Sequence, residues 1–556
     1  MTNKELAAQF NLLAKLMEIH GENSFKSKSY ASAAFAIEKL PLALSELPAE
    51  KIADIKGIGA SAAGKIIALL NTGSLEILET LIEKTPAGIF EIMQIRGIGA
   101  KKINSIWKEM EIESMGELLY ACNENRLKLY KGFGEKTQEQ VKASIEFFIQ
   151  NKGSYLYASV ALLAEEIKGI LCRLVGENDV AVTGDVARQL PVINAIAFVV
   201  KADAENLIKK LTETTEFIID KTDENTLQLT LPNTPKIIVH IANNNNWISK
   251  QIETSASAAF MAALPLSTNE LNAKTTDEYF LQRGLHFIPA FARETESVIA
   301  KASKETLPSV ITTQDIKGLI HCHSNWSDGA NTLEEMANAA ANGGLAYMLI
   351  TDHSKSAFYA NGLKEERIQA QQEAIDALNL RLAPFKIFKG IESDILNTGE
   401  LDYSTTVLNS FDVVIASVHS NLKMTEDKAM ERLIKAIENK YTSILGHSTG
   451  RLLLSRAGYP VNHKKIIDAC AANNVALELN ANPNRLDVGW EYIDYALNKG
   501  VLISINPDAH SIAGISHCTY GVLVAQKALV TAAHNVSSFT LPAFEQFVES
   551  QKKKRN

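Results

Sequence analysis

The feature that most constrains the fold is a series of short apolar segments after residue 315, each ending in polar residues. Four of these segments lie at residues 347–351, 413–417, 475–479 and 501–505, and stretches with helical periodicity separate them. Short apolar strands that alternate with helices are typical of a parallel sheet covered by helices. The C-terminal part of the chain is therefore predicted to be a parallel α/β barrel.

Half of the twelve histidines lie at the ends of these predicted strands, together with three acidic residues. The nine residues are His321, His323, Asp328, His353, Glu392, His419, His447, Asp508 and His510. In a parallel α/β barrel, the carboxyl ends of the strands meet at one mouth. In the pairs His321/His323 and Asp508/His510, a single residue separates the two members, so on a strand both members point to the same face. Mixed imidazole and carboxylate ligands suit Zn²⁺, Mn²⁺ or Fe²⁺, and this mouth is the predicted metal centre.

The first 150 residues have helical periodicity and repeat a Gly-x-Gly turn at the start of a helix. The copies are Gly57-Ile58-Gly59, Gly97-Ile98-Gly99 followed by Lys101 and Lys102, and Gly132-Phe133-Gly134. Such a turn leaves backbone N–H groups free to approach a phosphate, and the helix N-terminus adds a favourable partial charge. One copy alone is more often a simple turn between helices. Three copies favour a module that grips a nucleic-acid backbone without reading bases.

Charge and composition bear on three further questions: the binding partner, the state of the cysteines and the cellular location. The net charge of -8 gives no global reason to expect nucleic acid, so such a partner must be argued from local motifs. The five cysteines form no CxxC pair and are predicted to be free thiols. Residues 1–10 do not resemble a signal peptide, and no apolar run approaches the roughly 18 residues of a membrane span. A cytoplasmic location without membrane association is expected.

Beyond these patterns, the N-terminal part resembles family X DNA polymerases through residues 25–30, Phe-Lys-Ser-Lys-Ser-Tyr, and the hairpins. Residues 276–279, Thr-Asp-Glu-Tyr, and 284–289, Gly-Leu-His-Phe-Ile-Pro, resemble the segment that closes the family's catalytic core. In that family, the helix after the first hairpin can carry a lysine that removes 5'-deoxyribose phosphate, and Lys65 falls on its position. The alternative is that Lys65 only contacts phosphate or solvent. A lysine nucleophile needs a lowered pKa, which a sequence does not show.

The middle of the chain resembles the family's catalytic core without its carboxylates. The nucleotide-binding motif of the family begins with Gly-Ser, continues with Arg and ends in Asp-x-Asp. Here those positions are Gly184-Asp185, Arg188 and Ala195-Ile196-Ala197, and the third aspartate is aligned with His240. Nucleotidyl transfer needs two metal ions held by oxygen ligands, which alanine lacks. The core is therefore predicted to be an inactive polymerase kept as a scaffold.

An alternative ligand pair, Asp203 and Glu205, lies near this motif. Both residues follow the predicted strand 195–200. A helix that starts there would use them as N-terminal charges, and this interpretation keeps the spacing of the motif.

The histidine and acid motifs resemble the PHP (polymerase and histidinol phosphatase) domain, which bacterial family X polymerases carry at the C-terminus. The resemblance implies a distorted (β/α)7 barrel with a three-metal site held by the nine residues named above. Glu392 would bridge the metals, with Glu392, Asp508 and His323 as the catalytic residues. Arg451 and Arg456 match a family segment and are candidates for substrate phosphate contacts, with surface salt bridges as the alternative. Leu319 stands where family members often have an aspartate that supports a ligand.

Together these observations predict four parts. They are a helical DNA-binding domain at 1–150, an α+β polymerase-like core at 151–300, a linker at 301–315 and a PHP domain at 316–556, with a frayed basic tail at 551–556. The predicted function is a metal-dependent DNA phosphoesterase, a 3'-5' exonuclease acting on gapped, nicked or 3' ends in repair. A gap-filling polymerase with an editing domain and a non-catalytic DNA-end-binding protein are the alternatives. A small-molecule phosphatase remains open for the barrel alone.

Overall fold

The computed structural model describes residues 1–40, 42–95, 97–123, 127–150, 153–231, 234–265, 273–454 and 457–555. The chain divides into two compact units, Met1–Lys152 and Gly153–Asn556. None of the described helices has the length and apolar content that a bilayer crossing requires.

The described residues of the N-terminal unit form helices joined by turns, without a strand, which confirms the prediction for this region. Its helices are α1 (Asn3–Ile19), α2 (Ser24–Glu38), α3 (Ala49–Ile52), α4 (Ala60–Thr72), α5 (Glu76–Glu83), α6 (Ala87–Ile92), α7 (Ala100–Asn104), α8 (Met115–Asn123) and α9 (Glu135–Gln150). Two apolar cores hold them together, one around Phe10 and Tyr30 and the other around Ile106 and Ile145. Helix α1 starts at a capping box, in which Thr2 and Glu5 satisfy each other's backbone N–H groups.

The second unit begins with an α+β region. Its elements are β1 (Tyr155–Leu156), α10 (Tyr157–Val175), β2 (Val180–Thr183), α11 (Gly184–Ala187), β3 (Val192–Ile193), β4 (Ala195–Lys201), α12 (Ala204–Thr214), β5 (Ile218–Asp223), β6 (Thr226–Thr230), β7 (Lys236–Ala242), α13 (Trp247–Thr254), α14 (Ala258–Ala263), α15 (Thr276–Leu281) and α16 (Glu296–Ala302). The main sheet has the order β2-β4-β7-β6-β5, and only β4 and β7 run parallel. One face of the sheet forms an apolar core with α10 and α12.

The barrel follows. Its elements are β8 (Gly318–Cys322), α17 (Leu333–Asn342), β9 (Tyr347–Ile350), α18 (Glu365–Leu382), β10 (Lys386–Asp394), α19 (Thr405–Leu408), β11 (Val413–Ser417), α20 (Glu426–Ile437), β12 (Ile444–Leu445), α21 (His463–Ala472), β13 (Ala476–Asn480), α22 (Trp490–Asn498), β14 (Ile503–Asn506), α23 (Cys518–Lys527) and α24 (Leu541–Lys553). Seven parallel strands follow one another in chain order from β8 to β14. A parallel bridge between Cys322 and Ala509 joins the two edges. The predicted fold class is confirmed.

Strand β14 begins two residues later than predicted. Val501 does not start the strand because its N–H bonds back to the carbonyl of Ala496, at 3.0 Å, in the turn that ends α22. The predicted linker 301–315 also packs against the barrel. Ile311 is buried, and its N–H donates to the carbonyl of Val530 at 2.8 Å.

The prediction of a frayed tail is wrong for residues 551–555. Helix α24 extends to Lys553, and the side chain of Arg555 is buried. Its guanidinium donates to the carbonyls of Phe411 at 2.7 Å and Asp412 at 3.0 Å. The charges at this end of the chain therefore satisfy carbonyl groups of a loop instead of extending into water.

Candidate metal centre

All nine predicted ligands meet at the carboxyl end of the barrel strands. His321 and Glu392 lie within β8 and β10, and the other residues follow the ends of β8, β9, β11, β12 and β14. Three groups among them have potential ligand atoms within 4.8 Å of one another. The groups are His323/Asp328/His353/His510, His321/His323/Asp508 and His353/Glu392/His419. The fold thus brings together residues that lie up to 189 positions apart in the sequence, from His321 to His510.

Glu392 is at the middle of the cluster and is fully buried. Five imidazoles surround its carboxylate. The distances to Glu392 Oε1 are 3.2 Å from His321 Nε2, 3.2 Å from His419 Nε2 and 3.0 Å from His447 Nε2, and those to Oε2 are 2.9 Å from His353 Nδ1 and 3.7 Å from His323 Nε2. A carboxylate with imidazoles on both oxygens has the arrangement that a metal-bridging ligand needs.

The other two acids lie on either side of Glu392. Asp508 Oδ1 is 3.1 Å from His323 Nε2 and 3.6 Å from His321 Nε2. Asp328 Oδ1 is 3.4 Å from His510 Nε2 and 3.6 Å from His353 Nε2. Asp328 and His510 keep 35% and 40% of their side-chain surface exposed, whereas His321 and His323 have none. The centre therefore opens to solvent on the side of Asp328 and His510.

Two of these residues have a backbone conformation that side chains rarely adopt. His321 has a φ of 62° and Asp508 a φ of 52°. At His321 the pairing of β8 with β9 shifts register, between Ile320 and Cys322. The regular strand alternation predicted for His321 and His323 is therefore interrupted, and both rings still face the centre. Positive φ at residues of this kind is local strain, which is a common feature of functional sites.

Glu478 supports the centre and was missed by the sequence analysis. This buried residue of β13 lies with Oε2 2.6 Å from His321 Nδ1, and the backbone N–H of His447 donates to its Oε1 at 3.0 Å. Asn506 and Asn480 donate to the two oxygens at 2.7 and 3.0 Å. A carboxylate on Nδ1 fixes the proton there and leaves Nε2 of His321 as a ligand. The one available signal was a charged residue inside an otherwise apolar strand.

The residue at position 319, where family members often have an aspartate, lies in an apolar environment. Leu319, predicted to cost a supporting contact, is buried among apolar residues of the barrel. The carboxylate that contacts His321 comes from another strand instead.

Asp352 fixes the loop that carries Asp328. It is completely buried and accepts hydrogen bonds from Ser324 N at 2.8 Å, Ser327 Oγ at 2.5 Å and Gln371 Nε2 at 2.7 Å. Similarly, Asp394 contacts Nδ1 of His419. Each of these acids orients a predicted ligand, or the loop that bears one, without facing the centre itself.

The side chains of the centre shift one another's pKa values strongly. Burial raises the pKa of Glu392, but the charges of His419, His321 and His353 outweigh it and hold the pKa well below its usual range. Burial lowers the pKa of His419, but Glu392 and Asp394 raise it to about 10. For His510, burial is likewise outweighed by Asp328 and Asp508, which raise the pKa to about 9. Imidazoles must be neutral to bind metal, so loading at neutral pH has to displace protons from this centre.

The donor set fits divalent metal ions. Several buried nitrogen and oxygen atoms of the centre have no hydrogen-bond partner among the described residues. They are His321 Nε2, His323 Nδ1, His353 Nδ1, His447 Nδ1 and Glu392 Oε2. Buried polar atoms without partners are costly, and metal ions would satisfy such atoms. Imidazole and carboxylate donors suit Zn²⁺, Mn²⁺ or Fe²⁺. The individual ligand assignments stay a prediction.

Of the two arginines that were predicted to contact substrate phosphate, the structure describes one. Arg456 lies outside the described residues. Arg451 Nε donates to the carbonyl of Arg485 at 2.9 Å, and its Nη2 donates to the carbonyl of Leu486. The guanidinium of Arg451 thus holds a loop of the protein, which differs from the predicted contact with substrate.

In the polymerase-like region, β4 and β7 bring apolar side chains together. Ala197 of β4 pairs with Ile238 of β7. His240 lies two residues after Ile238 on β7 and pairs with Val199. Asp203 accepts a hydrogen bond from Asn206 N at 2.9 Å as the N-cap of α12, which is the helix-capping role weighed above. Asp185 accepts from Asn194 N at 3.0 Å.

The three Gly-x-Gly turns share one conformation. Gly57, Gly97 and Gly132 have φ values of 95°, 87° and 92°, which favour glycine. The middle residue of each turn is buried and bonds back three residues, as Ile58 does to Ile55 at 2.9 Å and Phe133 to Tyr130 at 3.0 Å. Gly59, Gly99 and Gly134 directly precede α4, α7 and α9. Lys65 Nζ lies 5.5 Å from the ring centre of Tyr30, and Lys102 Nζ lies 5.5 Å from that of Phe133.

Comparisons with known proteins agree with this architecture. Residues 1–75 match the helix-hairpin-helix domain family, and residues 320–482 match the PHP domain family. "DNA polymerase/3'-5' exonuclease PolX" of Bacillus subtilis (strain 168) is 30% identical over 572 residues, which cover 99% of this chain and 100% of that protein. A probable phosphatase of Vibrio atlanticus is 30% identical over 207 residues, 35% of this chain and 79% of the relative. A probable phosphatase of Caldicellulosiruptor saccharolyticus is 28% identical over 213 residues, 36% and 82% respectively.

The two phosphatase relatives cover about a third of the chain, whereas the Bacillus relative covers all its parts. The similarity to the Bacillus relative extends over the full length of both chains, from the N-terminal helical domain to the C-terminal PHP domain. This chain belongs to the PolX family of family X DNA polymerases, with an N-terminal helix-hairpin-helix domain and a C-terminal PHP domain.

Proposed function

We propose that this protein is a metal-dependent phosphoesterase that degrades DNA from 3' ends, and that its polymerase-like core does not synthesise DNA. The observation that carries the proposal is the buried carboxylate of Glu392 among five imidazoles at an open barrel mouth. Both the exonuclease named for the Bacillus relative and the phosphatases among the other relatives break phosphate ester bonds.

The nine predicted ligands would hold the metal ions, and Glu392 is the carboxylate at the middle of this cluster. Bound divalent ions lower the pKa of water and neutralise charge on the phosphate. The residues of the chain supply the geometry. Glu478 keeps Nε2 of His321 free for a ligand, and Asp352 holds the loop of Asp328 at the open side. Substrate would enter there, where the side chains of Asp328 and His510 are partly exposed.

The assay that tests this function uses gapped, nicked and 3'-recessed duplexes labelled at either the 3' or the 5' end, with Mn²⁺ or Zn²⁺. A 3'-5' exonuclease releases the 3' label at once and shortens the 5'-labelled strand stepwise. Early release of the 5' label would contradict the proposed polarity. Metal-loaded protein that hydrolyses neither DNA nor a generic phosphodiester would favour a non-catalytic DNA-end-binding protein.

The three Gly-x-Gly turns are proposed to bind the DNA backbone, and Gly99 offers a direct test. Its φ is -79°, and a Cβ added there would meet nothing within 4 Å, so Gly99→Val should not strain the fold. The added methyl groups would keep a phosphate away from the helix N-terminus. We expect the Kd for labelled gapped duplex to rise about tenfold, as the loss of one charge-assisted hydrogen bond predicts.

Hydrolysis of a small phosphodiester by the same variant should stay unchanged. Gly116→Val is the matched control, because a Cβ at Gly116 also meets nothing within 4 Å and the residue lies in α8, outside the three Gly-x-Gly turns. A loss of DNA affinity in both variants, or in neither, would contradict a phosphate contact at Gly99.

A further inference from the structure

One arginine beside the metal centre has no role in the function derived so far. Arg485 lies in the loop between β13 and α22, and its Nε is 3.7 Å from Oδ2 of Asp508. Only 19% of its side chain is exposed. In the part of the chain that the structure describes, the guanidinium donates no hydrogen bond, so its planar set of donors is available beside the predicted ligands.

The loop holds Arg485 firmly. The N–H of Arg485 donates to the carbonyl of Asn482 at 2.7 Å, and the N–H of Asn484 donates to Oδ1 of Asn482 at 3.0 Å. Arg451 binds the carbonyls of Arg485 and Leu486 from the other side. The backbone that carries Arg485 is thus fixed, so the loop itself loses little conformational entropy when the guanidinium binds a ligand.

Asp508 does not need Arg485 as a hydrogen-bond partner. His323 Nε2 is 3.1 Å from Oδ1 of Asp508, and Asn480 Nδ2 donates to Oδ2 at 3.2 Å. At 3.7 Å, the contact from Arg485 is longer than a hydrogen bond. The positive charge is therefore close enough to act at the centre while its donors remain unused.

We propose that Arg485 forms a phosphate subsite beside the metal centre, where its guanidinium donates to non-bridging oxygens of the phosphate group that is hydrolysed. Arg–phosphate pairs are commonly bidentate, which gives orientation as well as affinity. Arg451 is then a positioning residue, because it holds the two carbonyls of the loop that carries Arg485. This inference rests on the proposed phosphoesterase function and names the residue that recognises its substrate.

The test compares metal-loaded wild-type protein with R485A, R485K and R381A. Calorimetry measures binding of inorganic phosphate and of thymidine 5'-monophosphate, and atomic emission measures bound metal. We expect R485A to bind both probes at least tenfold more weakly with unchanged metal content, and R485K to lie between it and the wild type. Arg381 pairs with Glu334 at 3.1 Å on the outer helices, so R381A should match the wild type.

Phosphate affinity separates this inference from the proposed function, because it needs no turnover. Wild-type affinity in R485A would overturn the subsite, and so would an affinity loss that follows a loss of metal, since Arg485 would then only balance the charge of Asp508. R485K keeps the charge and the long side chain, and wild-type affinity in it would contradict bidentate binding. Phosphate binding that depends on Arg485, together with no DNA hydrolysis by the wild type, would refute the nuclease and leave the subsite standing.

Discussion

Primer extension on gapped DNA is expected to stay at the level of a control without enzyme, with Mg²⁺ or Mn²⁺ and all four dNTPs. The metal ions of nucleotidyl transfer need carboxylate oxygens on two neighbouring strands. Here Ala195 and Ala197 occupy β4, and Ile238 lies beside Ala197 on β7. None of these side chains has an oxygen atom to offer. Incorporation of a radiolabelled nucleotide above the control would contradict the expectation.

A double variant that introduces the family's two aspartates, Ala195→Asp with Ala197→Asp, should still not synthesise DNA. The arginine aligned with the family's nucleotide-binding motif is already paired inside the protein. Arg188 Nε donates to Glu294 at 3.1 Å, and the buried Lys527 of the barrel donates to the same carboxylate at 2.6 Å. A triphosphate would have to break this buried ion pair, which is costly because it leaves a charge without its partner. Nucleotide incorporation by the double variant would show that Arg188 is still available.

Lys527, which donates to Glu294, also links the polymerase-like core to the barrel. Lys527 belongs to α23 and donates to the carbonyl of Arg188 at 2.6 Å, while Lys301 of α16 pairs with Asp494 of α22 at 2.6 Å. Side chains of both regions therefore connect the polymerase-like core to the PHP barrel. Such contacts agree with the prediction that the core serves as a scaffold.

Most of the fold could be predicted because its signals are local. The barrel strands are short apolar segments with a polar end, and the position of His353 or His447 follows once such a segment is recognised as a parallel strand. The turns at Gly57, Gly97 and Gly132 were predictable for the same reason, since a positive φ followed by a helix requires a particular residue at a particular place.

Contacts between distant segments could not be predicted. Glu478 contacts His321, 157 positions earlier in the sequence, and the guanidinium of Arg555 donates to the carbonyl of Phe411, 144 positions earlier. Arg451 and Arg485 show the difficulty most clearly. Both are arginines in loops that follow neighbouring strands, β12 and β13, and only the packing decides that one binds backbone carbonyls while the other faces Asp508.

His323→Ala and Asp508→Ala are each expected to reduce 3'-5' exonuclease activity below detection and to lower the amount of bound metal. Each substitution removes a donor from the group His321/His323/Asp508, in which His323 Nε2 and Asp508 Oδ1 are 3.1 Å apart. Activity on labelled duplex and metal content by atomic emission are measured on the same samples. His534→Ala is the matched control, because His534 is exposed and contacts Thr531 outside the centre.

The thermal midpoint separates a catalytic centre from a structural one. If the metal mainly held the barrel together, its loss would lower the midpoint of the barrel, because the binding free energy would be part of the folding free energy. The large apolar core of the barrel does not include the ligands, so we expect its midpoint to change little while activity disappears. The N-terminal helical unit has its own cores and should melt as in the wild type. Wild-type exonuclease activity in either variant, after chelation and repletion with metal, would mean that the chemistry takes place elsewhere.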